Sequence, residues 1–510
     1  MADPHLHHTP HNEDPMNNLS FKNWLCFWLM LFIAAAGAHS YAGDLEGKLD
    51  DYVRGYADKG LFNGVVLVAH EDRILLYQGY GMANLEWQIP NAPDTRFRLG
   101  SVTKQFTAAL ILKLSESGTI DLQAPISRYI PDYPGKDGER ITIEQLLNHT
   151  SGIPNYTSLP NFGAEMSRNP YRPRQIVDKV CALPLEFEPG SRYAYSNSGY
   201  FLLGYIIEEV SGMPYERALK VMLLDPLGLK DTGYDHFQEI LPRRASGYSR
   251  SVSGLKNTAY LDTSLPYAAG SLYSTGADLL KWTRALAAGK PFADPATYQR
   301  MITPGKGDYG YGLYNREIEV GGRKLRQISH GGSINGFKTD LRHLEQDDYV
   351  LIALDNTEGR QLFNMLDGLT ALLYGAEPPI AKRPISREIY QAIDQMGLSA
   401  AIAHYRKLRA DQTDQYDFAG PELNNLGYAL LREDRDEAAL AVFALNIEMY
   451  PEAANPYDSY GEALAKVGRT AEAIANYRKS LELNPQNRNA VERLNQLGVE
   501  ISPASDPLPQ

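Results

Sequence analysis

The chain has 510 residues, 43% of them apolar, which is enough for a large core and more than the roughly 100–200 residues usual for one domain. Its 62 acidic residues outnumber its 50 basic ones, giving a formal charge of −12. No basic stripe of the kind that attracts phosphate backbones is present, so nucleic acid is excluded as a partner.

In chain order, a polar, His-rich start gives way to an almost wholly apolar run from Trp24 to Ala36. That run is short for a bilayer span. Lys22 ahead of it and the small residues Ser40 and Ala42 behind it read as a secretory signal cleaved near Ala42. Residues 1–42 are therefore expected to be removed, leaving an exported, periplasmic or secreted chain with no stable membrane span. The alternative is an uncleaved N-terminal anchor. Of the two cysteines, Cys26 lies inside this segment, so the mature chain keeps only Cys181 and can form no internal disulfide. Cys181 is expected to be a small buried hydrophobe.

The runs Gly64 to Ala69 (GVVLVA) and Arg73 to Tyr77 (RILLY) flank a polar turn and predict a buried β-hairpin. Lys338 to Leu344 and Tyr349 to Leu354 repeat the pattern near residue 350. Between these sheet-forming ends lie mostly helical patterns, at Ser101 to Ser117, Ile143 to Asn148 and Gly199 to Val210. The expected fold is α+β: one antiparallel sheet with a helical lobe inserted between its two parts.

Ser101 and Lys104 are three residues apart, on one face if helical. A serine needs a base, and a lysine serves once desolvation or neighbouring charge lowers its pKa. The spacing recurs at Ser253 and Lys256, but only Ser101 precedes an apolar-periodic helix (Phe106, Ala109, Leu110, Leu114) ending at Gly118. Tyr195-Ser196-Asn197 is the only Tyr-x-Asn among 33 tyrosines, in a loop before an apolar helix beginning near Tyr200. Its phenol can relay protons, and Asn197 can orient the lysine and a substrate amide. His330-Gly331-Gly332-Ser333 lies between two extended segments, and its glycines let a substrate backbone approach a strand edge. The N–H groups of Ser101 and Ser333 can then form an oxyanion hole. With no His, Asp or Glu cluster at ligand spacing, neither a metal nor a cofactor is expected.

After Ala376 the prolines of Glu-Pro-Pro-Ile-Ala-Lys-Arg-Pro mark a linker, residues 377–386. The rest is helical in pattern and self-similar: Gly427 matches Gly461, Ala439 Ala473, Phe443 Tyr477, and Pro451 Pro485, at a constant offset of 34. That period resembles tetratricopeptide repeats. Residues 387–500 are expected to form this repeat-like domain, with Arg387 to Arg409 as a degenerate unit or cap, and 501–510 a disordered tail. Such repeats suit a protein partner.

The motifs at Ser101, Tyr195 and His330, in this order, resemble the serine β-lactamase and penicillin-binding-protein superfamily. The resemblance runs from about Leu45 to Tyr374. It is strengthened by LLNHTSGIP (Leu146 to Pro154), PGSRYAYSNSGYFLLG (Pro189 to Gly204) and AAGSLYSTGADLLKW (Ala268 to Trp282), which are similar to the class C branch. It implies a β-lactamase/transpeptidase-like domain over residues 43–376. It also implies Ser101 as nucleophile, Lys104 and Tyr195 as proton-transfer groups, Asn197 as a positioning residue, and His330 to Ser333 as the substrate strand. The family's β-lactamases usually carry Lys-Thr-Gly where this chain has His330-Gly331-Gly332, a variation more like family VIII esterases and D-amino-acid-specific peptidases. A histidine there is expected to make substrate choice depend on pH. Glu144 to Asn148 matches a class A deacylation pattern but precedes Tyr195, the wrong order, and is read as a helix end, with His149 structural in the following turn.

The expected function is acyl transfer to water from an ester, a β-lactam or a D-amino-acid amide, on a small-molecule or peptidoglycan-derived substrate. The alternatives are a D-Ala-D-Ala carboxypeptidase or muropeptide-trimming enzyme, and a catalytically weak sensor of cell-wall fragments.

Overall fold

The structure, a computed structural model, describes residues 44–499 apart from positions 131, 161, 164 and 360. The expected signal segment and the C-terminal tail lie outside the described residues. A first helix, α1, covers 44–58. The principal sheet has six strands: β1 (Gly64–His70), β2 (Arg73–Tyr80), β3 (Tyr314–Val320), β4 (Arg323–Ile334), β5 (Phe337–Leu344) and β6 (Tyr349–Asp355). Their order across the sheet is β3-β4-β5-β6-β1-β2, and every neighbouring pair is antiparallel. The strands on either side of the helical lobe thus meet at β6–β1, where Gly64 pairs with Asp355 and His70 with Tyr349.

Covering this sheet on both faces explains why its central strands are continuous apolar runs. Along β1, Val65, Leu67 and Ala69 enter the core of the inserted lobe. Val66 and Val68 alternate into a second core built from Leu49 and Val53 of α1 and from Met365, Leu366 and Leu369. Those last three lie on the helix after the sheet, residues Leu362–Leu373. β2 is an outer strand of the sheet, and of its eight residues only Leu76 and Tyr80 are buried. The expected buried hairpin is therefore buried only in its first strand, because an edge strand has a neighbour on one side.

The lobe is organised around α2 (Thr103–Glu116), buried almost all round. Phe106 stacks on Trp282 with ring centroids 4.1 Å apart, and the indole N–H donates to Gln105 Oε1 at 3.0 Å. Burying such a phenylalanine contributes about 1.5–3 kcal/mol. Gly118, at φ +76, ends the helix in the left-handed conformation that costs glycine least. A second long helix, α3 (Asn197–Ser211), starts at Asn197, earlier than the expected Tyr200. Cys181 is buried, and desolvation pushes its thiol up to about 12.

After α4, the Leu362–Leu373 helix, the chain is nearly all helical: α5 (Ile385–Met396), α6 (Leu398–Asp411), α7 (Gly420–Arg432), α8 (Asp436–Met449), α9 (Ala454–Lys466), α10 (Thr470–Leu483) and α11 (Arg488–Gln496). The first of these begins two residues inside the expected linker. Pro384 stands just before it, where a missing N–H costs nothing. Arg383 and Pro384 pair in parallel with Tyr416 and Asp417. In α7 a Cβ on Gly427 would stand 2.6 Å from the Phe443 ring of α8, and in α9 one on Gly461 would stand 3.1 Å from the Tyr477 ring of α10. The same small-against-aromatic contact thus recurs in both units. The helical region also touches the sheet domain: Val252 packs against its core, and Lys59 Nζ donates to Ala381 O at 2.8 Å. Among the described residues no helix is long and apolar enough to cross a membrane.

Candidate active site

Ser101 sits in a 3₁₀ turn, Gly100–Val102, that runs directly into α2. The second Ser-x-x-Lys does not share this setting. Ser253 occupies the turn of the hairpin Tyr248–Ser251/Gly254–Asn257, with its Oγ 3.0 Å from Ser251 Oγ.

One turn after Ser101, at the second residue of α2, the Lys104 side chain is fully buried. Its Nζ lies 3.0 Å from Ser101 Oγ, 2.8 Å from Asn197 Oδ1 and 2.8 Å from Ala269 O. Desolvation, with no carboxylate to oppose it, holds the amine well below its ordinary value. An uncharged amine has two N–H groups and one lone pair. Asn197 Oδ1 and Ala269 O can only accept and take the two N–H groups. The lone pair is left for the Ser101 hydroxyl, which is the orientation a base needs. Asn197 is fixed in turn: its N–H donates to Asn155 Oδ1 at 3.2 Å and its Nδ2 to Thr157 Oγ1 at 3.3 Å.

Tyr195 also reaches this serine, and Lys104 Nζ lies 4.9 Å from the centre of its ring. Burial raises the phenol above its ordinary value, a shift partly offset by a hydrogen bond with Ser101. Desolvation favours the neutral form of both groups, so it separates their roles. The neutral amine can take a proton, and the neutral phenol can give one.

The third component is a strand edge. β3 pairs with β4 only as far as Ser329, so beyond it β4 is paired on the β5 side alone. A two-residue turn, Asn335-Gly336, closes the β4–β5 hairpin at the pair Ile334–Phe337. Alternation from that hydrogen-bonded closing pair turns the N–H and C=O of Ser333 away from β5, toward the nucleophile turn. The approach is close: a Cβ on Gly100, at φ +55, would stand 2.8 Å from Ser333 N. Thr339 on β5 ties the two together by donating to Leu99 O at 2.8 Å. This brings the Ser333 amide up to the nucleophile turn, the arrangement expected of an oxyanion hole shared with the Ser101 amide.

Gly332 makes that approach possible. A Cβ there would stand 1.9 Å from Leu99 O and 2.3 Å from Thr339 Oγ1, well inside the 3.4 Å of ordinary contact. Gly332→Ala is therefore expected to lever β4 away from the turn and lower kcat by about a hundredfold, the usual cost of one oxyanion donor. Ester-hydrolysis kinetics beside a thermal melt check this. A folded variant with wild-type kcat would mean that Ser333 does not act there.

His330 is buried, 2% exposed, with its ring centroid 6.2 Å from that of Tyr195. Nδ1 lies 2.6 Å from Gly331 O and so must donate, leaving Nε2 to accept from the Tyr309 hydroxyl at 3.0 Å. Burial pushes the imidazole down to about 3. It stays neutral throughout the working range and can offer no pH-dependent charge to a substrate. His149 is likewise buried and held far below its ordinary value, first by desolvation. Both rings take up protons only on unfolding, so their contribution lowers the fold's stability as pH drops below about 6.5.

The sequence reading placed His149 in a structural turn, and the structure gives that turn a purpose. The residue adopts φ +59, its Nδ1 accepts from Ser196 N at 3.2 Å, and its ring lies 4.2 Å from that of Tyr195, tilted by 40°. Tyr309 was not singled out, since nothing marks one tyrosine among 33. Glu144, in the short helix Ile143–Leu147, accepts from Tyr311 and from Gln123 Nε2 and serves that helix end. No group of three or more potential ligands for a metal occurs among the described residues.

A helical lobe inserted into an antiparallel sheet, with a buried Ser-x-x-Lys opening the lobe's central helix, defines the β-lactamase/transpeptidase-like class of protein. The chain belongs to the Beta-lactamase family, whose profile matches residues 49–374. It is 30% identical over 374 residues to penicillin-binding protein 4* of Bacillus subtilis (strain 168), covering 68% of this chain and 80% of that protein. It is 28% identical over 271 residues to the teichoic acid D-alanine hydrolase of Staphylococcus aureus, covering 52% of this chain. The chain spans about two thirds (65%) of that relative's length. Among solved structures it is similar to the D-amino acid amidase of Ochrobactrum anthropi SV3, with 28% identity and a TM-score of 0.56, over 65% of this chain and 97% of that one.

Proposed function

We propose that this chain is a serine hydrolase that forms an acyl-enzyme on Ser101. The observation that carries the reading is the desolvated Lys104 amine 3.0 Å from Ser101 Oγ, with no countercharge to keep it protonated. Lys104 takes the hydroxyl proton as Oγ attacks the substrate carbonyl. The new oxyanion is held by the amides of Ser101 and Ser333. Tyr195 gives its proton to the departing oxygen or nitrogen and is reprotonated from the lysine through Ser101's surroundings. Water then attacks the ester, and the same groups work in reverse. Such a complete set argues against a catalytically weak sensor.

For the substrate we infer D-amino-acyl esters and amides, including cell-wall-derived ones. Three observations support this: the open edge of β4, which suits an extended backbone; a D-amino acid amidase and a D-alanine hydrolase among the relatives; and the uncharged groups around Lys104. With no lysine on the substrate strand at His330, anionic β-lactams gain no ion pair there. The preference for neutral esters is then independent of pH, in place of the pH-dependent choice expected from the sequence. A cell-wall substrate fits export of the chain, with residues 1–42 as its signal segment. It also fits residues 387–500 acting as a tetratricopeptide-like module for a protein partner.

Intact-mass measurement of the protein quenched during turnover of a D-phenylalanine ester, its L-enantiomer and a penicillin tests this reading. The expected result is an adduct on the Ser101 peptide, faster with the D-ester than the L-ester. The neutral-to-anionic kcat/KM ratio is expected to stay flat from pH 5.5 to 8.5. No adduct with any of the three would overturn the mechanism. Equal rates for the two enantiomers would overturn the substrate class alone.

A further inference from the structure

A cavity of about 520 Å³ lies away from Ser101, where the sheet domain meets the helical region. Its walls come from the end of the loop after α1, the Tyr248–Asn257 hairpin, the loop after β6, and helices α5 and α7. Five cations line it: Lys59, Arg250, Arg383, Arg387 and Arg432. In a chain with 62 acidic residues to 50 basic ones, none of the five forms an ion pair among the described residues.

The three carboxylates in the same walls are turned to other partners. Glu358 accepts from Gly336 N at 2.6 Å, Glu388 from His404 and Tyr416, and Glu422 from Ser386 Oγ. Arg250 carries a buried donor with nothing to bind. One of its terminal nitrogens donates to Thr357 Oγ1 at 3.0 Å, while its buried Nε has no partner. Desolvation lowers its guanidinium; the buried Asp355 carboxylate opposes that shift, and the like charge of Arg387 adds to it. The two guanidinium groups face the cavity from different walls, and neither forms a close ion pair among the described residues.

We propose that this interdomain cavity binds a small multivalent oxyanion, its carboxylate or phosphate oxygens held by Arg250 and Arg387, with Arg432 completing the site from the helical side. The volume is that of a small-molecule site, typically about 300–1,000 Å³. Guanidinium forks match the planar oxygen pairs of carboxylates and the edges of phosphates. The ligand spans both domains, so its binding stabilises their junction. This inference does not depend on the proposed substrate.

The test is calorimetric titration and thermal melting of the full chain with citrate and with pyrophosphate, each against sodium chloride at matched ionic strength. One of the two anions is expected to bind saturably at one site and to raise the melting temperature. Arg250→Gln/Arg387→Gln is expected to weaken that binding by on the order of tenfold or more, while ester hydrolysis keeps its wild-type rate. Arg432→Gln gives a smaller loss in the same direction and guards against misfolding of the double variant. Citrate binding alone identifies a carboxylate ligand, and pyrophosphate binding alone a phosphate ligand. The proposal is overturned if neither anion exceeds the chloride effect, or if the variants bind as the wild type does. It is equally overturned if an acidic peptide binds where both small anions fail, which would make the cavity a peptide groove.

Discussion

Ser101→Ala is expected to lower kcat/KM for an activated ester by about ten thousandfold or more, the usual consequence of losing a covalent nucleophile. Lys104, Asn197 and Ala269 keep their mutual hydrogen bonds without the hydroxyl, so the fold changes by no more than the roughly 1 kcal/mol of one hydrogen bond. The measurement pairs steady-state kinetics with fluorophosphonate labelling and peptide mapping. The wild type labels at Ser101, the variant nowhere, and Ser253 in neither. Ester hydrolysis by the variant at the wild-type rate would remove Ser101 from the chemistry.

Lys104→Met keeps the length of the side chain and removes its lone pair. Without a base, kcat is expected to fall by about a hundred- to ten-thousandfold with KM little changed. The stability of this variant carries independent information. Burial lowers the folded lysine well below its ordinary value, whereas the unfolded lysine holds its proton up to about pH 10.4, so between the two the unfolded state binds the extra proton. Stability of the wild type relative to Lys104→Met therefore rises with pH across the alkaline range below that value, by about 1.4 kcal/mol per unit at most. Denaturant melts of both proteins at several alkaline pH values give the difference. A difference that does not move with pH would mean that Lys104 is charged in the fold, and the base would have to be sought elsewhere.

Much of this architecture is legible in the chain because two different periodicities mark it. The unbroken apolar runs at Gly64 and Tyr349 announce strands covered on both faces, and the helix after Ser101 announces itself by its apolar spacing. The 34-residue offset marks the paired helices, since Gly427 and Gly461 each yield room to an aromatic ring one helix away. The catalytic candidates were legible by order and uniqueness of motif. What was hidden depends on direction and depth. His330 and Ser333 stand on the same strand, but one side chain is buried and the other exposed, and no spacing in the sequence says which way His330 faces. Its chemistry follows from that burial and not from its type. The roles of Ala269 O and Tyr309 are likewise invisible: one is a backbone carbonyl, the other a single member of an abundant residue type.

The pairing of β1 with β6 also has a temporal meaning. Asn63 N donates to Asp355 Oδ2 across 292 residues of sequence, so β1 leaves the ribosome long before the strand that completes its neighbourhood. Until residue 355 is made, β1 and β2 are a bare hairpin with one apolar edge open, and isolated hairpins are marginal in water. The sheet domain thus cannot close during most of its own synthesis. Long-range strand pairing of this kind folds slowly. The paired helices of the C-terminal region, with contacts between near neighbours, need no such wait.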